Sequence, residues 1–401
     1  DLHSFPTRRS SDLVGEMMKK LFAILLAGTL LLSGCAGGSK PASSGSTSEN
    51  EVIVIGGLAP LTGSVAMYGN FVAKGAELAF KEINANGGIL GKQVDFRLED
   101  EKGDVTEAVN AYSKLMDEKI VTLLGDVTSK PSVAVAELAN DDGLPMITPT
   151  GTQFDITEGK PSVFRACFTD PYQGEVLAAF TKKDLNAKTV AVLSNNSSEY
   201  SQGIAKAYIA KAKELGLEVV AEEGYSDTDS DFRGQLTSIK SKNPDVLLVP
   251  DYFDKDALIA LQAKEVGLNA QILGADGWDG VISQVTEDKL KDLDGIYYCT
   301  NFSLSDENPL VQNFVKNYKA AYNENPASFS ANAYDAVYII KAAIEKAGST
   351  DKEAIVKAMK ELDFEGVAGT LHFDENNNPI KTLTMIVIKN GEYQFHSKET
   401  L

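Results

Sequence analysis

Three histidines, three cysteines and one tryptophan are very few for a chain of 401 residues. Each shortage removes a class of chemistry. His3 precedes everything that reads as folded, and His372 and His396 stand near the C-terminus. A Ser-His-Asp triad or a histidine-rich metal site therefore has almost nothing to be built from. No G-x-S-x-G or G-x-G-x-x-G motif occurs, and Gly91-Lys92-Gln93 lacks the spacing and the hydroxyl of a phosphate loop. Asp227-Thr228-Asp229-Ser230-Asp231 imitates the start of a calcium loop. Phe232 stands where that loop needs its turn glycine, and Ser238 where it needs a bidentate Glu. Asp231 reads more simply as the N-cap of a helix. No catalytic residue, metal or cofactor is expected. Basic residues are also in short supply: the net charge is −19, which speaks against nucleic acid or an anionic membrane surface as a partner. Beyond the N-terminal region no apolar run is long enough to cross a bilayer.

What is present begins with an address. Residues 1–16 resemble nothing downstream and read as foreign sequence ahead of a start at Met17 or Met18. Lys19-Lys20, the apolar run Leu21 to Leu32 and Ser33-Gly34-Cys35 then form a secretory signal peptide over 17–34. Leu32-Ser33-Gly34-Cys35 looks like a bacterial lipobox, in which Cys35 is lipidated and becomes the new N-terminus. Residues 35–50 are Gly, Ser, Thr and Ala-rich, a flexible tether between lipid and folded body. Such a chain is held at a membrane face, not in it, outside the cytoplasm. Only Cys167 and Cys299 remain as thiols. Export permits a disulfide between them, but two buried reduced thiols are the simpler expectation, because a bridge needs matched strand geometry.

The whole chain is 43% apolar, as a folded protein should be, and has too many residues for one core, so two lobes are expected. Val52-Ile53-Val54-Ile55 is an apolar strand of the buried parallel kind, ending at Gly56-Gly57. A loop to Gly69 and a helix from Phe71 to Ile83 follow, then strands and helices in alternation to Val163–Ala166. The rhythm restarts with a helix at Tyr172 and a strand at Val190–Leu193, and runs to Gln271–Leu273. After Ile296–Cys299 come three helices near 309–323, 331–347 and 352–362, then short strands at Thr370–Phe373 and Leu383–Ile388. Two successive βαβ series predict an α/β protein of two doubly wound α/β/α lobes joined by a hinge. The late helices and strands are expected to return and complete the first lobe and then the second.

In such sheets ligands sit beyond the carboxyl ends of the strands. The stretch Met146-Ile147-Thr148-Pro149-Thr150-Gly151-Thr152 is a short strand stopped by proline and followed by small, hydroxylated residues that offer N–H, C=O and O–H groups. Thr128-Ser129, Tyr68, Tyr200, Tyr252 and Asp276 fall at five other strand ends. Each alone has an ordinary reading as a capping Ser, a turn Asp or a surface Tyr. Together they would line an interlobe cleft, the commonest place for a small-ligand site.

Five stretches carry a resemblance: GGLAPLTGSVAMYG at 56–69, KGAELAFKEINANGGILG at 74–91, GLPMITPT at 143–150, Asp231-Phe232, and NAYDAV at 332–337. With them the chain, from Val52 to about His396, resembles the leucine/isoleucine/valine-binding protein family. These are the type I periplasmic solute-binding lipoproteins of branched-chain amino acid ABC transporters. The resemblance implies that the Ser129 hydroxyl and N–H and the Thr152 N–H bind an α-carboxylate. It implies that the Thr150 C=O, the Thr152 hydroxyl and the Asp276 carboxylate bind an α-ammonium group. Tyr68, Tyr200 and Tyr252 would wall the pocket, with Phe329 beside the ligand side chain. Four positions depart from the family. Asp276 stands where branched-chain members carry the longer Glu, Thr150 replaces a smaller residue, and Gly103 and Thr128 occupy positions disulfide-bonded in some members. Trp278, two residues past Asp276, could reach into the pocket.

The resulting expectation is a monomeric solute-binding protein with a free amino acid as ligand and an ABC permease as partner. Lobe 1 would comprise 51–170 and 300–376, and lobe 2 would comprise 171–299 and 377–401, with crossings near Thr169-Asp170, Thr300 and Asn376. The alternative is a sensor that uses the same fold to signal. An enzyme would need a nucleophile and base in the cleft, which the histidine shortage opposes.

Overall fold

The computed structural model describes residues 52–401; the expected leader, signal peptide, tether and Cys35 lie outside the described residues. A first sheet holds β1 (Ile53–Ala59), β2 (Val94–Asp100), β3 (Leu123–Leu124), β4 (Met146–Thr148) and β5 (Val163–Arg165), all parallel, in the order β2-β1-β3-β4-β5. Helices α1 (Ala66–Ala85), α2 (Val105–Asp117) and α3 (Ser129–Asp141) connect them. The chain then passes at Thr169, which caps α4 (Asp170–Lys183), into a second series. That series comprises β6 (Thr189–Asn195), α5 (Glu199–Glu214), β7 (Glu218–Tyr225), α6 (Arg233–Lys242), β8 (Val246–Val249), α7 (Phe253–Glu265), β9 (Gln271–Gly274) and β10 (Tyr297–Thr300).

From Thr300 the chain returns: α8 (Pro309–Tyr322), α9 (Ser328–Ala347) and α10 (Lys352–Lys360) follow, with α9 against α1. A small hairpin of β11 (Asp363–Gly366) and β12 (Gly369–His372) stands apart from both large sheets, where a strand of the first lobe was expected. The chain crosses a third time to β13 (Leu383–Lys389) and β14 (Glu392–Glu399). These close the second sheet in the order β14-β13-β10-β9-β8-β6-β7, β13 running antiparallel to β10. Two α/β/α lobes with three crossings result.

Several boundaries differ from the sequence reading for physical reasons. β1 runs through Gly56-Gly57 instead of stopping there. A Cβ at Gly56 would lie 2.7 Å from Ile120 and one at Gly57 2.6 Å from Phe96, so these glycines serve packing within a strand. α1 starts five residues before Phe71 and includes Gly69 and Gly75. Their would-be Cβ atoms lie 2.0 Å from the Pro60 carbonyl and 2.1 Å from the Ser330 carbonyl. The helix therefore accepts two poor helix formers to sit close on β1 and α9. The apolar segment 120–124 forms regular ladder pairs at Leu123–Leu124, while Val121 and Thr122 make single backbone hydrogen bonds to β1. At α6 the N-cap is Phe232, and Asp231, one residue earlier, accepts the Arg233 N–H at 3.2 Å. Among the described residues no group of metal-ligating side chains is found, and no helix is long and apolar enough to cross a membrane. Cys167 and Cys299 are buried and unpaired.

Gly75→Ala should destabilise the protein by about 1–3 kcal/mol, because the methyl meets backbone that cannot swing aside. A lowered urea midpoint at unchanged slope is the expected reading.

Candidate functional site

Four helix starts and one short turn deliver the site. Tyr68 sits in the first turn of α1. Ser129 is the first residue of α3, with Thr128 as its N-cap. Tyr200 opens α5, and Tyr252 is the N-cap of α7. Asp276 begins a 3₁₀ turn after β9. All follow the carboxyl ends of parallel strands, where free helix N–H groups gather.

Tyr68, Ser129, Thr150, Thr152, Tyr200, Tyr252, Asp276 and Phe329 line one pocket together with Val127, Thr128 and Gly277. The lobes meet across it. The Tyr68 hydroxyl, carried by the first lobe, donates to the Gly277 carbonyl and accepts the Phe253 N–H at 3.1 Å, both in the second. Its ring stacks on Phe329 at 4.3 Å and meets Tyr252 and Phe253 edge-on at 5.5 and 4.8 Å. Tyr200 stacks on Tyr252 at 4.9 Å. Farther out, the Gln153 amide donates to Glu199 at 3.0 Å across the same cleft. Drawn together in this way, the inner pocket has about 10 Å³ of free volume, room for about one water. Through Thr128, Ser129, Tyr200 and Tyr252 it continues into a vestibule of about 390 Å³. Anything larger than water reaches the inner groups only if the lobes part.

The two sides of the pocket differ in electrical character. Asp276, 7% exposed, accepts the Tyr200 hydroxyl at 2.7 Å, and its backbone N–H donates to Gln173 at 3.1 Å. Burial pushes its carboxyl up to about 6, against the hydrogen bond from Tyr200 and the nearby Gln173 side chain, and no lysine or arginine pairs with it. Asp170, Asp251 and Asp256 are buried nearby. Burial, and then these acids with Asp276, push the hydroxyls of Tyr68, Tyr200 and Tyr252 well above the ordinary tyrosine range. The second lobe thus offers a negative, dry wall.

The first lobe offers donors backed by a cation. Arg165 is fully buried behind the 150–154 loop. It donates to the carbonyls of Gly151 and Gln153 at 2.7 Å each and to Asn378 at 2.6 Å. Burial lowers its guanidinium from the ordinary value, but with neighbouring acids it stays a fixed cation at neutral pH. In front of it, Ser129 Oγ accepts the Gln153 N–H at 3.3 Å and the Ser129 N–H faces the Tyr252 hydroxyl. The Thr150 hydroxyl donates to Val127 at 2.8 Å, and the Thr152 carbonyl takes the Asp170 N–H at 2.9 Å.

One expectation is corrected, and one question that the sequence left open is answered. Gly151 does not line the pocket: its carbonyl is held from behind by Arg165 and by Cys167. A side chain there would strike Thr148, Ile156 and Ser132, so glycine is required by crowding. Trp278 does not reach the pocket either. Its indole N–H donates to the Val249 carbonyl at 2.8 Å and its ring packs on Gly274, fully buried. The sequence reading missed Arg165, Gln173 and Gly277. Arg165 left a trace, a lone cation inside the apolar run Val163-Phe164-Arg165-Ala166. Gln173 and Gly277 left none.

Residues 52–392 match the family model described as a periplasmic binding protein. The Leu/Ile/Val-binding protein BraC3 of Rhizobium johnstonii is 36% identical over 311 residues, 77% of this chain and 83% of that protein. The branched-chain amino acid transporter substrate-binding protein LivJ of Streptococcus pneumoniae, solved with isoleucine, superposes with a TM-score of 0.82 at 34% identity, covering 88% of this chain and 99% of that one. The leucine-binding protein LivK of Thermotoga maritima gives 0.80 at 34% identity, over 87% and 99%.

Tyr68→Phe removes both interlobe hydrogen bonds of the hydroxyl while keeping the ring stack. It should cost the closed form about 1–2 kcal/mol. Small-angle scattering of the free protein should give a larger radius of gyration for the variant than for the wild type.

Proposed function

Because this chain belongs to the periplasmic binding protein family, we propose that it captures a free amino acid between its lobes and delivers it to an ABC transporter permease. The observation that carries the reading is the opposition of Asp276, a buried carboxylate with no cation, to hydroxyls and amides backed by Arg165. A zwitterion fits that opposition. Its ammonium would sit at Asp276 with the Thr150 carbonyl and the Thr152 hydroxyl. Its carboxylate would sit at the Ser129 hydroxyl and N–H and the Thr152 N–H. Charge-assisted bonds in a dry cleft are strong enough to repay the parting of Tyr200 from Asp276 and of Ser129 from Tyr252. Tyr68, Tyr252 and Phe329 would enclose the side chain, and the named ligands of the relatives support an apolar, branched one. The shorter Asp276 would set the ammonium deeper or admit a bridging water.

The lobes, divided as 51–170 with 300–376 and 171–299 with 377–401, would part to admit ligand and close through contacts that exist only when shut. The Tyr68 bonds to Gly277 and Phe253 are of that kind. Residues 17–34 would direct export and lipid on Cys35 would hold a monomer at the outer face of the cell membrane, beside its permease.

Calorimetry with a panel of amino acids tests the reading. Asp276→Ala should weaken the best ligand by about 2–5 kcal/mol, since it strands a buried ammonium. Unchanged binding by this variant would sink the assignment of the amine end. The pH sign follows from Asp276. Its carboxyl is held near 6 in the free protein, and an ammonium partner favours the ionised form. Below about 6 a proton must leave before ligand binds, so affinity should fall by up to about tenfold per pH unit. A flat profile between about pH 5 and 7.5 would contradict it.

A further inference from the structure

Glu101 and Asp126 lie behind the pocket, and neither has any solvent exposure. Glu101 follows β2, and its Oε2 accepts the Gly103 N–H at 2.9 Å. Asp126 follows β3, and its Oδ1 accepts the Val127 N–H. The remaining oxygens, Oε1 of Glu101 and Oδ2 of Asp126, have no donor, while the two side chains lie within hydrogen-bonding reach of each other. Two bare acceptors in contact repel. A hydrogen between them turns the same contact into a strong bond.

The surroundings supply no other remedy. Asp100 is a third acid beside Glu101. From α2, Asp104 spends its carboxylate on the Thr106 and Glu107 N–H groups. Lys102 is half exposed and reaches Glu107 at 3.4 Å, and Lys130 of α3 lines the vestibule. β1 brings apolar Leu58 and Ala59, and β4 brings the Thr148 hydroxyl, which donates to the Asp126 carbonyl at 2.6 Å. Burial, and for Glu101 also the charge of Asp126, push both carboxyls upward.

We propose that Glu101 and Asp126 share one proton, and that this carboxyl–carboxylate bridge positions the Val127–Ser129 segment that holds the ligand's acid end. The proposal rests on the amino acid reading above. The coupling runs through named bonds. Asp126 is tied by its carbonyl to Thr148, whose Oγ1 also takes the Gly151 N–H at 2.8 Å. Val127 is tied by its carbonyl to Thr150, and Thr128 by its carbonyl to the Ser132 hydroxyl at 2.7 Å. A displacement at Asp126 therefore moves both segments that face the carboxylate. When the bridging proton leaves to solvent, two anions share one dry site and push apart. Ligand retention weakens as pH rises, opposite in sign to the effect of Asp276.

Glu101→Gln tests this, because its amide donates to Asp126 at every pH. Leucine, isoleucine and valine are titrated into wild type and variant, and the tightest binder is followed from about pH 6 to 9.5. Taking the ratio of the two affinities cancels the ligand's own ammonium titration. The two proteins should bind alike at the acid end, and wild type should become about tenfold weaker than the variant at the alkaline end. A ratio independent of pH overturns the proposal. Asp126→Asn replaces Glu101→Gln if that variant fails to fold. Infrared difference spectra of the ligand-free proteins, wild type minus variant at neutral pH, should carry one protonated-carboxyl band, and its absence also overturns the proposal. If no amino acid binds at any pH, the functional reading fails instead, and the infrared spectrum alone decides the shared proton.

Discussion

A carboxylate kept dry without a counter-charge is the constraint around which this molecule is arranged. An isolated buried ion costs several kcal/mol even after relaxation. Asp276 is given only a tyrosine hydroxyl and a glutamine side chain. A protein tolerates such a debt where something else is meant to settle it. The rest of the second-lobe wall points the same way, since its tyrosine hydroxyls are surrounded by acids and not by bases.

The first lobe solves the converse problem. On the proposed reading it would hold negative charge without a lysine or arginine in the inner pocket, where a mobile cation would neutralise Asp276. Arg165 does so from behind, locking two carbonyls of the 150–154 loop, so the loop's hydroxyls and N–H groups face forward. Gly151 is the point where guanidinium, thiol and loop come closest, and nothing larger fits. Neither wall is a binding site alone. The proposed chemistry would be complete only when α1, α3, α5 and α7 bring their N-terminal turns together, which would make recognition and lobe closure one event.

Much of this was legible in the sequence. The βαβ rhythm gave the two sheets, and the carboxyl-end rule pointed to Tyr68, Ser129, Thr150, Thr152, Tyr200, Tyr252 and Asp276, which one pocket brings together, while Phe329 was expected from the resemblance alone. The misses have physical causes. Gly56-Gly57 and Gly69 read as breakers but serve close packing inside a strand and a helix. β14 reads Glu392-Tyr393-Gln394-Phe395-His396 and carries little apolar signal because it is an edge strand. Its hairpin was nevertheless announced by Asn390-Gly391, both at positive φ in a two-residue turn. Trp278 could not be placed from the sequence, because adjacency to Asp276 says nothing of direction on a 3₁₀ turn. Arg165 acts through backbone carbonyls, which no residue pattern marks.

The placing of β13 has a consequence for how the chain comes to be folded. It lies between β10 and β14, and β10 in turn borders β9, so the second sheet stays open until the last twenty or so residues are available. The first sheet is covered on one side by α9, which comes after β10 in sequence. The first half waits for α9, and the second for β13 and β14. Contacts this distant along the sequence slow the search for the native state. A polypeptide so wired would complete both halves late, which would favour threading through a narrow passage before folding.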